Sequence, residues 1–96
     1  MTDTTLADKR VLITQADAFM GPALCEAFAA RGATVIASTE SLVDPAAPQA
    51  IVEAAGQVDV LVANLAIPAP TTPALEVDDD EWRAAFAALV DPLPRL

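Results

Sequence analysis

Arg10-Val11-Leu12-Ile13-Thr14-Gln15-Ala16-Asp17-Ala18-Phe19-Met20-Gly21-Pro22 is the stretch whose reading decides the fold. Its opening run is β-branched and aliphatic with no polar alternation, the pattern of a strand covered on both faces. Gln15 to Met20 reads as a loop. Gly21-Pro22 then opens a helix, with proline where its missing N–H leaves no bond unmade. The helix continues through Arg31, sets Leu24, Ala27, Phe28 and Arg31 on one face, and stops at Gly32. Thr34-Val35-Ile36-Ala37-Ser38 is a second buried strand. Strand, helix and strand predict a right-handed parallel βαβ unit.

Working outward, Ser41 to Pro48 is polar and broken by proline. A short helix fits Gln49 to Ala55, with Gly56 as its stop, and Val58 to Ala63 reads as a third strand. A parallel crossover takes roughly a dozen residues, so the second and third strands have room for one short helix between them. Pro68, Pro70 and Pro73 make the stretch after Asn64 an irregular loop. A last helix starts near Asp78-Asp79-Asp80, where acids suit the positive helix end. It aligns Trp82, Ala85, Phe86 and Leu89 as one apolar face, for the core or for a subunit contact. Pro92 and Pro94 end it. The acids of Asp78 to Glu81 read as a solvated helix start rather than a metal site.

These elements predict an α/β fold, the N-terminal βαβαβ-α portion of a Rossmann-like, doubly wound parallel sheet. Three strands and three helices leave faces and edges of such a sheet uncovered. Residues 1–96 are therefore expected to be the N-terminal part of a single Rossmann-like domain, ending before its catalytic segment. The alternative is a minimal domain completed by self-association.

Composition narrows the function. Fourteen acidic residues against five basic ones give a net charge of −9, which repels nucleic acid and anionic membranes. The single cysteine, Cys25, forms no internal disulfide and is expected to pack inertly. With no histidine in the chain, a zinc site is disfavoured and a histidine general base is excluded within these residues. The N-terminus lacks a basic segment followed by an apolar run, and the apolar stretches are too short to span a bilayer. The expected location is cytoplasmic.

A dinucleotide site needs glycines directly after the first strand: for the tight turn, for backbone approach to the pyrophosphate, and for helix-on-strand packing. In Thr14 to Gly21 only the last, Gly21, remains. Gln15 stands at the first glycine position and Phe19 at the second, where a ring should fill the space of a pyrophosphate. The ring either plugs the crevice or lines a smaller pocket. Asp17 adds negative charge nearby. Glu40 could reach a ribose, but the shortened crossover removes the wall around it. No nucleotide cofactor is expected. Asn64, at the end of the third strand, reads as a loop-anchoring amide before it reads as an active-site group.

Leu6-Ala7-Asp8-Lys9-Arg10-Val11-Leu12-Ile13-Thr14 resembles the opening of the short-chain dehydrogenase/reductases, and Val58 to Ala66 resembles their fourth strand and its Asn-Asn-Ala-Gly motif, of which Asn64 is kept. Within that superfamily, Thr14, Phe19 and Gly21 fit the T-x-x-x-x-F-x-G pattern of the halohydrin dehalogenases. Gly56 to Asn64 and the helix from Trp82 to Pro92 also look like that family, particularly its B-type members. The resemblance implies a lyase that converts a vicinal halohydrin to an epoxide and a halide without nicotinamide, and a homotetramer in which the Trp82 helix packs between subunits. It implies a halide and substrate pocket at Thr14, Phe19, Gly21, Asn64, Leu65, Ile67 and Pro68. Leu65 replaces an acid that braces the catalytic arginine in some members. The family's serine, tyrosine and arginine belong to a later segment, so no catalytic residue is assigned in this chain. The competing expectations are a divergent NAD(P)-dependent short-chain oxidoreductase and a non-catalytic fragment.

Overall fold

The computed structural model describes residues 5–96. Three parallel strands, β1 (Arg10–Ile13), β2 (Thr34–Ala37) and β3 (Val60–Val62), form one sheet in the order β2-β1-β3. β1 is central: Val11 aligns with Val35 on one side and Val60 on the other, and Leu12 with Ile36 and Leu61. That position explains its unbroken apolar run, since both its ladders and both its faces are covered.

Successive side chains of β1 go to opposite faces. Val11 and Ile13 pack with Leu24, Cys25 and Phe28 of α1 (Gly21–Ala30). Leu12 packs with Ile51 and Ala55 of α2 (Ala47–Ala55). The helices therefore lie on opposite faces, and the fold is the α/β, Rossmann-like winding that the sequence predicts. On α1 the buried stripe runs through Leu24, Cys25 and Phe28, while Ala27 is exposed.

Each helix end has a chemical cause. α1 ends in a Schellman turn: Ala33 N–H donates to the Phe28 carbonyl at 3.2 Å and Gly32 N–H to the Ala29 carbonyl at 3.0 Å. Gly32 takes φ 88° there, the left-handed conformation that glycine adopts without penalty. α2 starts two residues earlier than the sequence suggests, because Pro48 falls in its first turn, where no bond is lost. The proline-broken stretch before it is also less peripheral than expected: Leu42 is buried against Leu12 and Ile51 and pins the crossover to the sheet.

Arg10 secures the far end of α2. Its Nε donates to the Gln57 carbonyl at 2.8 Å and its terminal nitrogen to the Ala55 carbonyl at 3.0 Å. These are orphan carbonyls at a helix C-terminus, where a cation is favoured. Asp59 Oδ2 accepts from the Arg10 N–H at 2.8 Å, so the residues before β3 serve as an anchor and the strand itself is shorter than Val58 to Ala63.

The chain then leaves the sheet. A short 3-10 turn, Ala74–Glu76, precedes α3 (Asp79–Leu89), and Leu93–Arg95 forms a closing 3-10 turn. Asp78 caps α3, its Oδ1 accepting from Glu81 N–H at 2.8 Å. α3 meets the loop after β3 rather than the sheet. The radius of gyration is 15.5 Å, against about 12.5 Å for a compact domain of this length. The apolar face read from the sequence is consequently open: Trp82 is 61% and Phe86 40% exposed, their ring centroids 5.1 Å apart. No helix among the described residues is long and apolar enough to cross a membrane.

Candidate functional site

The order β2-β1-β3 places a switch point between β1 and β3: the chain leaves β1 toward one neighbour and returns to its other side. Ligands of open α/β sheets bind at the carboxyl ends of the strands at such a point. Here that place is framed by the loop after β1, residues 14–20, and the loop after β3, residues 63–67.

The two loops are tied together. Thr14 is fully buried, and its hydroxyl donates to the Asn64 carbonyl at 2.9 Å. Asn64, also buried, donates through Nδ2 to the carbonyls of Gln15 and Ala18 at 3.0 and 2.9 Å. Gln15 closes the set from the other side. Its Nε2 donates to the Ala66 carbonyl at 3.0 Å, and its Oε1 accepts from the Ala66 N–H at 2.8 Å. Each buried polar group thus has a partner, as burial demands.

The backbone of the first loop retains the shape of a glycine turn without its glycines. Gln15 has φ 43° and Phe19 φ 52°, the left-handed region that costs an L-residue about 1–2 kcal/mol. These are the two positions at which the sequence lacks glycine. Gly21 is held by space rather than by φ: a Cβ there would lie 2.3 Å from the Ala16 carbonyl oxygen. It fills the third glycine's role, close approach of helix and loop.

Phe19 does not plug the crevice. Its ring is 80% exposed and stands on the wall of an open recess of about 330 Å³, shared with Leu65, Ala66, Ile67, Pro70, Ala85 and Leu89. Of the seven residues read from the sequence as a pocket, Phe19, Leu65 and Ile67 line this recess. Thr14, Gly21 and Asn64 form the scaffold beneath it. Pro68 lies on the exposed loop, and Pro70 takes the lining position instead. Sequence reasoning missed Gln15 as a clamp and Ala85 and Leu89 as a far wall. The apolar repeat of the last helix was the available signal for the wall.

The recess is apolar in side chains but carries backbone donors. Among the described residues, the N–H groups of Phe19, Met20, Leu65 and Ile67 have no protein acceptor. Phe19 is left-handed and Met20 right-handed, with φ −86° and ψ −2°. Such a pair turns successive N–H groups to one side, an arrangement that attracts anions. The pair sits at the head of α1, whose dipole adds positive potential.

A second recess, of about 260 Å³, lies beside β2 and includes Ser38, Thr39, Glu40, Ile51 and Ala54. It corresponds to the ribose side of a dinucleotide site, with Glu40 present and α2 as one wall. Compared with known proteins, the chain matches no family model and no curated protein.

Proposed function

We propose that this chain is the halide-side portion of a cofactor-independent halohydrin dehalogenase, acting on a small vicinal halohydrin and its epoxide. One observation carries the reading: the left-handed/right-handed pair Phe19-Met20 offers unpaired N–H groups beside an apolar recess, at the switch point of the sheet. A halide is a small, weakly hydrated anion suited to a few N–H donors and an apolar wall. A pyrophosphate needs closer backbone approach, which glycine permits and Phe19 at that position opposes.

In the reaction, the substrate hydroxyl loses its proton, the alkoxide oxygen attacks the neighbouring carbon, and the carbon–halogen bond breaks as halide leaves. The role of these residues is to receive that halide and to hold the substrate's apolar body against Phe19, Leu65 and Ile67. The chain contains no tyrosine or histidine, so the proton acceptor implied by the resemblance is supplied from outside residues 1–96. The open face of Trp82 and Phe86 supports assembly into a homo-oligomer, a tetramer on the resemblance, and the proposed location is cytoplasmic.

The recess at Glu40 favours a second reading, an NAD(P)-dependent oxidoreductase. Halide release from a brominated alcohol, by the polypeptide that joins this chain to its catalytic segment, separates the two. Release without nicotinamide supports dehalogenation; saturable NADH binding with no such release sinks it.

A further inference from the structure

We infer that Gln15 is a positioning residue: it holds the 65–67 loop at a fixed distance from the Phe19 turn, and so sets the two sides of the anion mouth. The inference rests on the halide reading above. Gln15 is the only side chain among the described residues that binds Ala66, and it does so with both ends of its amide, at 3.0 and 2.8 Å. Ala66 lies between Leu65 and Ile67, two of the four residues with unpaired N–H groups. Phe19 and Met20, which carry the other two, follow Gln15 on its own loop, whose carbonyls at Gln15 and Ala18 are gripped by Asn64. The clamp therefore joins the two donor sets directly.

The backbone of Gln15 gives the same indication. A left-handed φ of 43° favours glycine, yet the position holds a residue whose side chain alone can make the paired contact. Gln15→Gly relieves the backbone while removing the clamp, so stability and positioning move independently. Gln15→Met keeps the bulk of the side chain and removes both bonds.

The test is a bromide titration of the chain, followed by amide NMR shifts at residues 19, 20, 65 and 67, together with hydrogen exchange at Ala66. Both variants should bind bromide about tenfold more weakly than wild type, and their Ala66 N–H should exchange about tenfold faster. Gln15→Gly should keep the wild-type denaturation midpoint, which separates positioning from folding. A variant that binds bromide as tightly as wild type overturns the role of Gln15 and leaves the halide reading standing. A wild-type chain with no saturable shift overturns the halide reading and the role with it, and Ala66 exchange then still reports whether the clamp exists.

Discussion

Replacing Gly21 by alanine tests whether the first loop and the head of α1 are packed as closely as described. A Cβ at Gly21 would meet the oxygen, carbonyl carbon and Cα of Ala16 at 2.3, 2.5 and 2.8 Å, where ordinary contact begins at 3.4 Å. All three are backbone atoms, so no side chain can swing aside. The loop would have to withdraw by about 1 Å, and overpacking of this kind costs about 1–3 kcal/mol. Withdrawal is resisted: Ala16 N–H is bound to the Ser38 carbonyl at 2.8 Å, and the residues on either side are held by Asn64. Alanine's better helix propensity returns at most about 1 kcal/mol, and less in a first turn. The net loss is about 1–2 kcal/mol, read as a fall in melting temperature of about 5–15 °C for a domain of this size. Urea titration should show a lower midpoint with unchanged slope. Gly56→Ala is the control for conformation alone: its Cβ meets nothing within 4 Å, but φ is 75°, so it should cost about 1 kcal/mol and be partly recovered by asparagine. A Gly21→Ala chain as stable as wild type would refute the close approach.

Other substitutions probe the remaining ties. Asn64→Ala should cost about 2–3 kcal/mol, because two hydrogen bonds are lost and two carbonyls are left behind. Asn64→Asp should be worse at neutral pH, where a carboxylate faces the Gln15 and Ala18 carbonyls, and should recover toward the alanine value as acid protonates it; urea titrations at two pH values read this. The Asp59 carboxyl is held below its ordinary value, first by the Arg10 N–H and then by the Gln57 side chain. Its contribution to stability is therefore present above about pH 4 and is lost as pH falls further, so Asp59→Asn should flatten the acid side of the stability profile. Leu42→Ala should cost about 2–4 kcal/mol, as for a fully buried leucine, and denaturation should show it. Phe19→Gly should leave stability unchanged or raise it by up to about 1 kcal/mol, since the backbone is left-handed and the exposed ring loses little contact.

The sheet was legible because β1 is covered on both faces, which leaves an unbroken apolar run with no other good reading. The ends of α1 were legible from Gly21-Pro22 and Gly32, residues whose backbone demands are local. Leu42 was not, because one leucine in a polar, proline-rich stretch has no period to reveal it. The start of α2 was misplaced because a proline reads equally well as a breaker and as a first-turn residue. At the site, the missing glycines were visible, but not that Gln15 and Phe19 keep a glycine-like backbone. That outcome depends on tertiary bonds from Asn64 and Ala66, about fifty positions away in sequence, and no local pattern encodes it. The direction of Phe19 was equally hidden, since a ring beside a turn can fill a crevice or border it.

The central claim is that the turn at Phe19-Met20 takes a single small anion and not a pair of linked phosphates. Crystals soaked in sodium bromide and in NADH, with anomalous scattering recorded for the first, put the question directly. The account predicts one bromide peak against the N–H groups of Phe19 and Met20 and no dinucleotide density across the turn. Pyrophosphate density over the head of α1, with no bromide there, would contradict it.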